Sequence, residues 1–273
     1  MSDRRPIGLF DSGVGGLTVL EAVARRMPFE DLLYLGDTAR LPYGTKSPET
    51  VRRYARSAIG FLLSQGVKAV VVACNTASAL ALDVIEEMSP VPVVGVVAPG
   101  AEAAVTAARG SDQGGVKGPI AVLATEATVA SDAYGLAIRS LDPGRDVIHT
   151  ACPLFVPLAE EGWTENEVAR SAAARYLAEV PRAGARVVVL GCTHYPLLAR
   201  TIADALPSGT ILVNSAETTA RAVEAALPSG SRRGGTSPGT TRLLVTDASE
   251  RLRRVAGRFL GRPAADLTLV DLA

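Results

Sequence analysis

Apolar and polar positions fall along this chain in blocks. Short apolar runs, many of them rich in β-branched residues, recur at Ile7-Gly8-Leu9-Phe10, Asp31-Leu32-Leu33-Tyr34-Leu35, Ala69-Val70-Val71-Val72 and Val93-Val94. Each ends in small or polar residues. Runs of this kind predict strands buried on both faces of a parallel sheet, with a ligand-facing tip at the carboxyl end. Between them lie segments such as Glu49 to Leu63 and Glu165 to Val180, whose apolar residues recur at helical spacing.

The same pattern is written a second time. Gly66-Val67-Lys68-Ala69-Val70-Val71-Val72-Ala73-Cys74-Asn75-Thr76 matches Gly184-Ala185-Arg186-Val187-Val188-Val189-Leu190-Gly191-Cys192-Thr193-His194 in residue type and position. Ile7 to Phe10 before Asp11-Ser12-Gly13 has its counterpart in Ile120 to Leu123 before Ala124-Thr125. Asp31 to Leu35 corresponds to Asp146 to Thr150, with Pro42 and Pro157 following in register, and Val93-Val94 corresponds to Leu212-Val213. Any one pair resembles any buried strand; four in order predict a duplicated unit. Strands alternating with helices predict an α/β fold of two pseudo-symmetric, doubly wound parallel-sheet domains. The ligand site is expected in the cleft between them, where carboxyl ends of strands meet.

The tail complicates a two-block picture. Leu227 to Thr241 is crowded with Pro, Gly, Ser and Arg and reads as a solvated loop. A strand at Leu243-Leu244-Val245, a helix from Ala248 to Leu260 and a last strand from Leu267 to Val270 come after it. This unit extends the second domain or folds back on the first. The latter would create two crossings between domains and permit the cleft to close.

Composition narrows the ligand. The 273 residues are enough for two domains with real cores, and 28 basic residues balance 28 acidic ones. Zero net charge gives no footprint for nucleic acid or an anionic membrane and favours a small neutral or zwitterionic ligand. The opening apolar stretch is too short for a signal peptide and no run reaches spanning length, so a cytoplasmic location is expected. Three cysteines in a reducing compartment are expected as free thiols.

Cys74 and Cys192 carry the candidate chemistry. Each ends a strand and precedes a helix entry, whose free amides favour an anion and so help a thiol ionise. His194, two residues beyond Cys192, is a candidate proton partner. Cys152, before Pro153 among apolar neighbours, reads as packing, and His149 as structural. In the loop Asp11-Ser12-Gly13-Val14-Gly15-Gly16 the spacing matches neither the dinucleotide fingerprint nor the Walker pattern, and an aspartate at its mouth repels phosphate. A substrate carboxylate on Ser12 and nearby amides fits better, with Asp11 facing an ammonium group or a thiol. Pro42-Tyr43-Gly44 offers further backbone donors. Thr125, Thr128 and Ser131 line the equivalent loop of the other half or simply cap a helix there. The only lysines are Lys46, Lys68 and Lys117, none placed for a pyridoxal Schiff base, and no dedicated metal spacing is present. Proton transfer between the two faces of a carbon, without a cofactor, is the most economical chemistry for opposed thiols.

Several strings resemble the glutamate racemase family of the aspartate/glutamate racemase superfamily. They are Phe10-Asp11-Ser12-Gly13-Val14-Gly15-Gly16-Leu17-Thr18, Gly36-Asp37-Thr38-Ala39-Arg40 with Pro42-Tyr43-Gly44, Ala73-Cys74-Asn75-Thr76-Ala77-Ser78, Thr125-Glu126-Ala127-Thr128, Cys152-Pro153-Leu154-Phe155-Val156-Pro157-Leu158-Ala159-Glu160, and Gly191-Cys192-Thr193-His194-Tyr195-Pro196-Leu197. In this order they span residues 7 to 222. The resemblance implies a first domain of residues 1–98 completed by 214–273, and a second of 99–213. It also implies a cofactor-independent two-base mechanism, in which Cys74 takes the α-proton of D-glutamate and Cys192 that of L-glutamate. Asp11 would assist Cys74; His194, with Glu160, would assist Cys192. Asp11, Ser12, Pro42, Tyr43, Gly44, Cys74, Asn75, Thr76, Thr125, Thr128, Cys192, Thr193 and His194 match substrate-binding positions of the family. A homodimer making D-glutamate for peptidoglycan is further implied. One departure is Asn214 before Ser215, where the family commonly has an acidic residue; packing or loop support is expected there. Aspartate racemisation with the same thiols is the nearest alternative. A two-lobed amino-acid sensor would need the carboxylate loops but not thiols on both sides.

Overall fold

The computed structural model describes residues 3–112, 117–233, 237–264 and 266–272. Its strands are β1 (Ile7–Asp11), β2 (Leu32–Gly36), β3 (Ala69–Val72), β4 (Val93–Gly95), β5 (Ile120–Ala124), β6 (Val147–Ala151), β7 (Val187–Gly191), β8 (Ile211–Asn214), β9 (Thr241–Val245) and β10 (Leu267–Leu269). They form two parallel sheets, ordered β10-β9-β2-β1-β3-β4 and β6-β5-β7-β8. Four consecutive strands of the larger sheet, β2-β1-β3-β4, therefore repeat the order of the smaller one. Register agrees too: Ile7 aligns with Leu32 and Ala69, as Ile120 aligns with Val147 and Val187. The turns entering β3 and β7 both use a left-handed glycine, Gly66 at φ 72° and Gly184 at φ 75°, a conformation that costs other residues a Cβ clash.

Helices cover both faces of each sheet. They are α1 (Leu17–Arg26), α2 (Pro48–Ser64), α3 (Asn75–Met88), α4 (Val97–Ser111), α5 (Glu126–Ala130), α6 (Ala133–Leu141), α7 (Phe155–Glu161), α8 (Glu167–Leu177), α9 (Glu179–Arg182), α10 (Ala199–Asp204), α11 (Ser215–Ala226) and α12 (Glu250–Leu260). On one face of the larger sheet, Leu17 and Val23 of α1 pack with Val223 of α11 and Phe259 of α12. On the other, Val51 and Ile59 of α2 pack with Ala81 and Ile85 of α3. The smaller sheet is enclosed by Phe155, Ala169 and Ile202 on one side and by Ala101, Val105 and Ile138 on the other. The expected doubly wound architecture is present in both halves, and each fully buried Val, Leu, Ile or Phe side chain among these contributes about 1.5–3 kcal/mol.

The chain leaves the larger sheet after β4 and returns to it after β8. Asn214 serves the return as the cap of α11, accepting from the Ala216 amide at 2.9 Å. The tail then adds β9 beside β2 and β10 beyond it, so it folds back on the first lobe.

The segment 227–241 is a largely exposed loop, as expected, and it is also strapped down, with residues 234–236 outside the described ones. The Arg233 guanidinium donates to Asp31 at 2.9 Å, and the Thr240 amide donates to the same carboxylate at 2.7 Å. Glu30, buried at the amino end of the sheet, takes both the Arg233 amide and the Lys68 ammonium. Carboxylates so placed require partners, and the loop supplies them. The expected helix from Glu165 to Val180 instead breaks at Ala178 into α8 and α9. Pro181 has no amide for the carbonyl four residues earlier, at Leu177, which ends the regular ladder.

Candidate active site

In the strand order β2-β1-β3-β4 the connections diverge between β1 and β3, and a crevice opens beyond their carboxyl ends. Asp11, Ser12 and Cys74 stand there. The same crevice in the other half holds Thr125 and Cys192. The two crevices face each other across one cavity of about 150 Å³, lined by both cysteines, the scale of space that takes one small molecule. Ser12, Pro42, Tyr43, Gly44, Asn75 and Thr76 line it from the first lobe, and Thr125, Thr193 and His194 from the second. Asp11, Thr128 and Glu160 stand behind that lining, each in contact with a lining residue through hydrogen bonds or charge. Thr45, Glu126, Pro153, Val156 and Pro157 also line the cavity. Four of these five, all but Thr45, lie in strings that resemble the family, but only Pro157 was also marked by the repeat, through its pairing with Pro42.

The two thiols are free and buried, and their surroundings differ. Cys74 is the N-cap of α3: its Sγ lies 3.5 Å from the Ala77 amide and 3.4 Å from Ser12 Oγ. Burial and the neighbouring Asp11 charge push its pKa up to about 12, while Ser12 and the helix amide pull the other way. Asp11 is itself fully buried. Burial raises its pKa, against the opposing His194 charge and the amides of its own loop; Oδ2 accepts from the Gly13 amide at 2.9 Å, and Oδ1 has no partner among the described residues.

Cys192 does not open an α-helix, contrary to expectation. The Tyr195 amide donates to the Cys192 carbonyl at 3.2 Å, and a 3₁₀ turn, Tyr195–Leu198, precedes α10. Pro196 is the reason, since an α-helical bond to that carbonyl would need the amide proline lacks. His194 takes the helix's place, with Nδ1 3.9 Å from Cys192 Sγ and Nε2 3.3 Å from Glu160 Oε1. Burial opposes a charge on this imidazole, yet Cys192 and Glu160 outweigh it and lift its pKa to about 10. Glu160 is lowered, chiefly by its bond with His194.

Hydroxyls and amides ring the remaining walls. Thr76 Oγ1 lies 2.9 Å from Thr125 Oγ1 and 3.2 Å from Thr128 Oγ1, a cluster drawn from both lobes. Asn75 Oδ1 accepts from Tyr134 of the second lobe at 2.7 Å, which leaves its buried Nδ2 as a donor without a partner among the described residues. Tyr43 is held through its hydroxyl by Asp37, buried at the tip of β2. Cys152 is in the core of the second lobe, where burial raises its thiol, and His149 lies on β6 at 3.4 Å from Asp132; neither lines the cavity. Among the described residues no group of three or more His, Cys, Asp or Glu is arranged to hold a metal ion, and no helix is long and apolar enough to cross a membrane. Such a site can hold a small zwitterion by its carboxylates and present a sulfur to it from either lobe.

The description Asp/Glu/Hydantoin racemase belongs to a family model that matches residues 12–223. Glutamate racemase of Geobacter metallireducens is 48% identical over 269 residues, covering 98% of this chain and 97% of its own. The crystal structure of glutamate racemase from Francisella tularensis in complex with D-glutamate superposes with a TM-score of 0.90 at 34% identity, covering 99% and 98% of the two chains. That of Thermus thermophilus in complex with β-chloro-D-alanine gives 0.87 at 45% identity, covering 100% and 99%. With family model, full-length relatives and paired sheets in agreement, the chain belongs to the Asp/Glu/Hydantoin racemase family, in its glutamate racemase branch.

Proposed function

We propose that this protein interconverts L- and D-glutamate by two-base proton transfer at the α-carbon, without a cofactor. The observation that carries the reading is that Cys74 and Cys192 stand at equivalent strand tips of opposite lobes, line one cavity, and have different proton partners. Cys74 removes the α-proton of D-glutamate while Cys192 delivers one to the opposite face; the roles reverse for L-glutamate. Asp11, whose burial favours its protonated form, exchanges a proton with Cys74. His194, oriented by Glu160, serves Cys192, and its positive charge stabilises negative charge on that sulfur as the proton leaves.

The walls supply what a cofactor otherwise would. Ser12, the free Nδ2 of Asn75 and Thr193 are assigned to the α-carboxylate and amine, where donors stabilise charge as the α-proton departs. Tyr43 and Gly44, with Pro42 holding the turn, and the Thr76, Thr125 and Thr128 hydroxyls are assigned to the other carboxylate. The product D-glutamate is assigned to peptidoglycan synthesis in the cytoplasm, and the working unit to a homodimer, which sedimentation would register as twice the chain mass.

Incubation of the purified protein with either enantiomer in heavy water tests the reaction. Inversion with deuterium entering the α-position, and no added cofactor, is the expected result. Glutamate binding by a folded sample without exchange would instead make the protein a sensor, and faster turnover of aspartate in parallel would move the substrate one methylene shorter.

A further inference from the structure

Helix α12 is part of the first lobe by strand order, yet it reaches α7 of the second and touches the Glu160–His194 pair at three points. The ring of Phe259 meets His194 edge-on, with centroids 5.0 Å apart and planes at 80°. Arg258 donates through Nη1 to the Glu160 carbonyl, and its guanidinium lies against Gly162, where α7 ends in a left-handed turn. Arg251 donates to Glu161 Oε1 at 2.9 Å and lies 3.5 Å from Glu160 Oε2.

We infer that Arg251, Arg258 and Phe259 are positioning residues that hold Glu160 and His194 in line with Cys192, so that the first lobe completes the proton relay of the second lobe's thiol. This rests on the reading of Cys192 as an acid–base group. A helix of seven residues leaves its last carbonyls without internal partners, and Arg258 takes one of them, fixing the end of α7 from which Glu160 projects. The two carboxylate oxygens of Glu160 are then divided, Oε1 to His194 and Oε2 to Arg251, which sets the carboxylate plane and through it the imidazole. Phe259 closes the remaining side of the ring, leaving Nδ1 toward Cys192 and Thr193. The charged and titratable groups facing the pair are Arg251, Arg258, Glu161, Cys192 and, through the His194 charge, Asp11. Among the described residues no such cross-lobe hydrogen bond orients the partner of Cys74: Asp11 is hydrogen-bonded by the amides of its own loop and feels the other lobe only through the His194 charge. Separation of the lobes therefore dismantles the hydrogen-bonded frame of one thiol's proton partner and leaves that of the other in place.

The full-length Arg251→Gln/Arg258→Gln variant tests this with two readouts. The chain has only two histidines, so the His194 ring proton is assigned by NMR against His149→Gln and titrated without substrate. Loss of a neighbouring positive charge alone would raise its titration midpoint; a fall reports the lost Glu160 contact and is the expected result. In turnover, kcat/KM is expected to drop about 10- to 100-fold. Because mirror-image substrates are equal in free energy, the drop is the same in both directions. The asymmetry appears in the isotope effects instead: that on α-deuterated L-glutamate grows, while that on the D-enantiomer does not. Arg251→Lys/Arg258→Lys is expected to recover most of the activity. A midpoint that stays or rises, or wild-type kcat/KM and isotope effects, would overturn the inference. Should no form of the protein racemise, the reaction assignment fails while the titration still decides whether α12 holds the pair. Arg251→Gln alone, at an exposed guanidinium, supplies both readouts if the double variant does not fold.

Discussion

Cys74, Cys152 and Cys192 are all buried, so burial does not separate the two thiols proposed to react from the third; their neighbours do. Replacing Cys74 or Cys192 with alanine is expected to lower racemisation by about a thousandfold or more, because two residues that act as one relay fail together. Cys152→Ala is expected to keep it, since among the described residues its thiol bonds to the Thr150 carbonyl, 3.5 Å away, and otherwise packs in the core of the second lobe. Chiral chromatography of overnight incubations checks all three. The His194–Glu160 pair also sets a pH dependence of stability. His194 is raised from 6.5 to about 10, so its contribution is full below pH 6.5 and is lost as pH rises through about 10. Glu160 is lowered from 4.5, so its contribution is full above pH 4.5 and is lost as pH falls through its lower folded value. The melting-temperature gap between the wild type and His194→Asn is therefore expected to be widest between pH 4.5 and 6.5 and to shrink toward pH 10. A gap that grew with alkalinity would reverse the assignment. Both thiols were legible in the sequence because their strands are repeated. Phe259 and Arg258 were not, because an amphipathic helix signals only that it has a buried face, not which side chains that face will meet.

At the level of elements, the repeat predicts matched strands and overstates the match between the segments after them. The strand order and register of the two sheets agree pair by pair. The helix after Cys74 runs fourteen residues, whereas Cys192 leads into a 3₁₀ turn and six residues of α10. The difference was written at Pro196, but reading it required asking which carbonyl that missing amide would have met. The loop between β1 and α1 shows the same economy of space. A Cβ on Gly15 would stand 2.3 Å from Thr193 Oγ1 and 2.7 Å from His194 Nδ1, so the loop closes on the other lobe only because that position is bare. Gly15→Ala is expected to displace the imidazole and cut kcat/KM by roughly 100-fold, the cost of about an ångström of misplacement, while leaving the thermal midpoint within a few degrees. A variant with unaltered kinetics would mean that the lobes adjust freely at this contact.

For the molecule as a whole, the tail decides the architecture. Its hydrophobic pattern specified a strand, a helix and a strand but not which sheet would receive them, since either edge offers the same unpaired backbone groups. Strap residues far from the cleft resolve it. Arg233 and Thr240 seek the carboxylates of Glu30 and Asp31, which lie at the foot of the larger sheet. Glu30→Gln is expected to destabilise the fold by about 3–5 kcal/mol, because it leaves the buried Lys68 ammonium without its counter-charge. Urea unfolding monitored at the single tryptophan would measure it. A change below about 1 kcal/mol would show that water reaches the pair.

The shared strand order of the two sheets carries a geometric consequence. Lobes related by an approximate twofold rotation can be exchanged, one thiol for the other, but no rotation turns a left hand into a right one. A substrate lying across such an axis would meet the same surroundings from both lobes, and its two enantiomers would then bind in unrelated poses. Interconversion in place requires that carboxylate, amine and side chain keep their seats while only the hydrogen changes sides. The walls between the thiols must therefore be unlike one another. Asp11 opposite Ala124 at the aligned strand ends, and His194 where the first lobe has Thr76, are where the copied halves have stopped being copies.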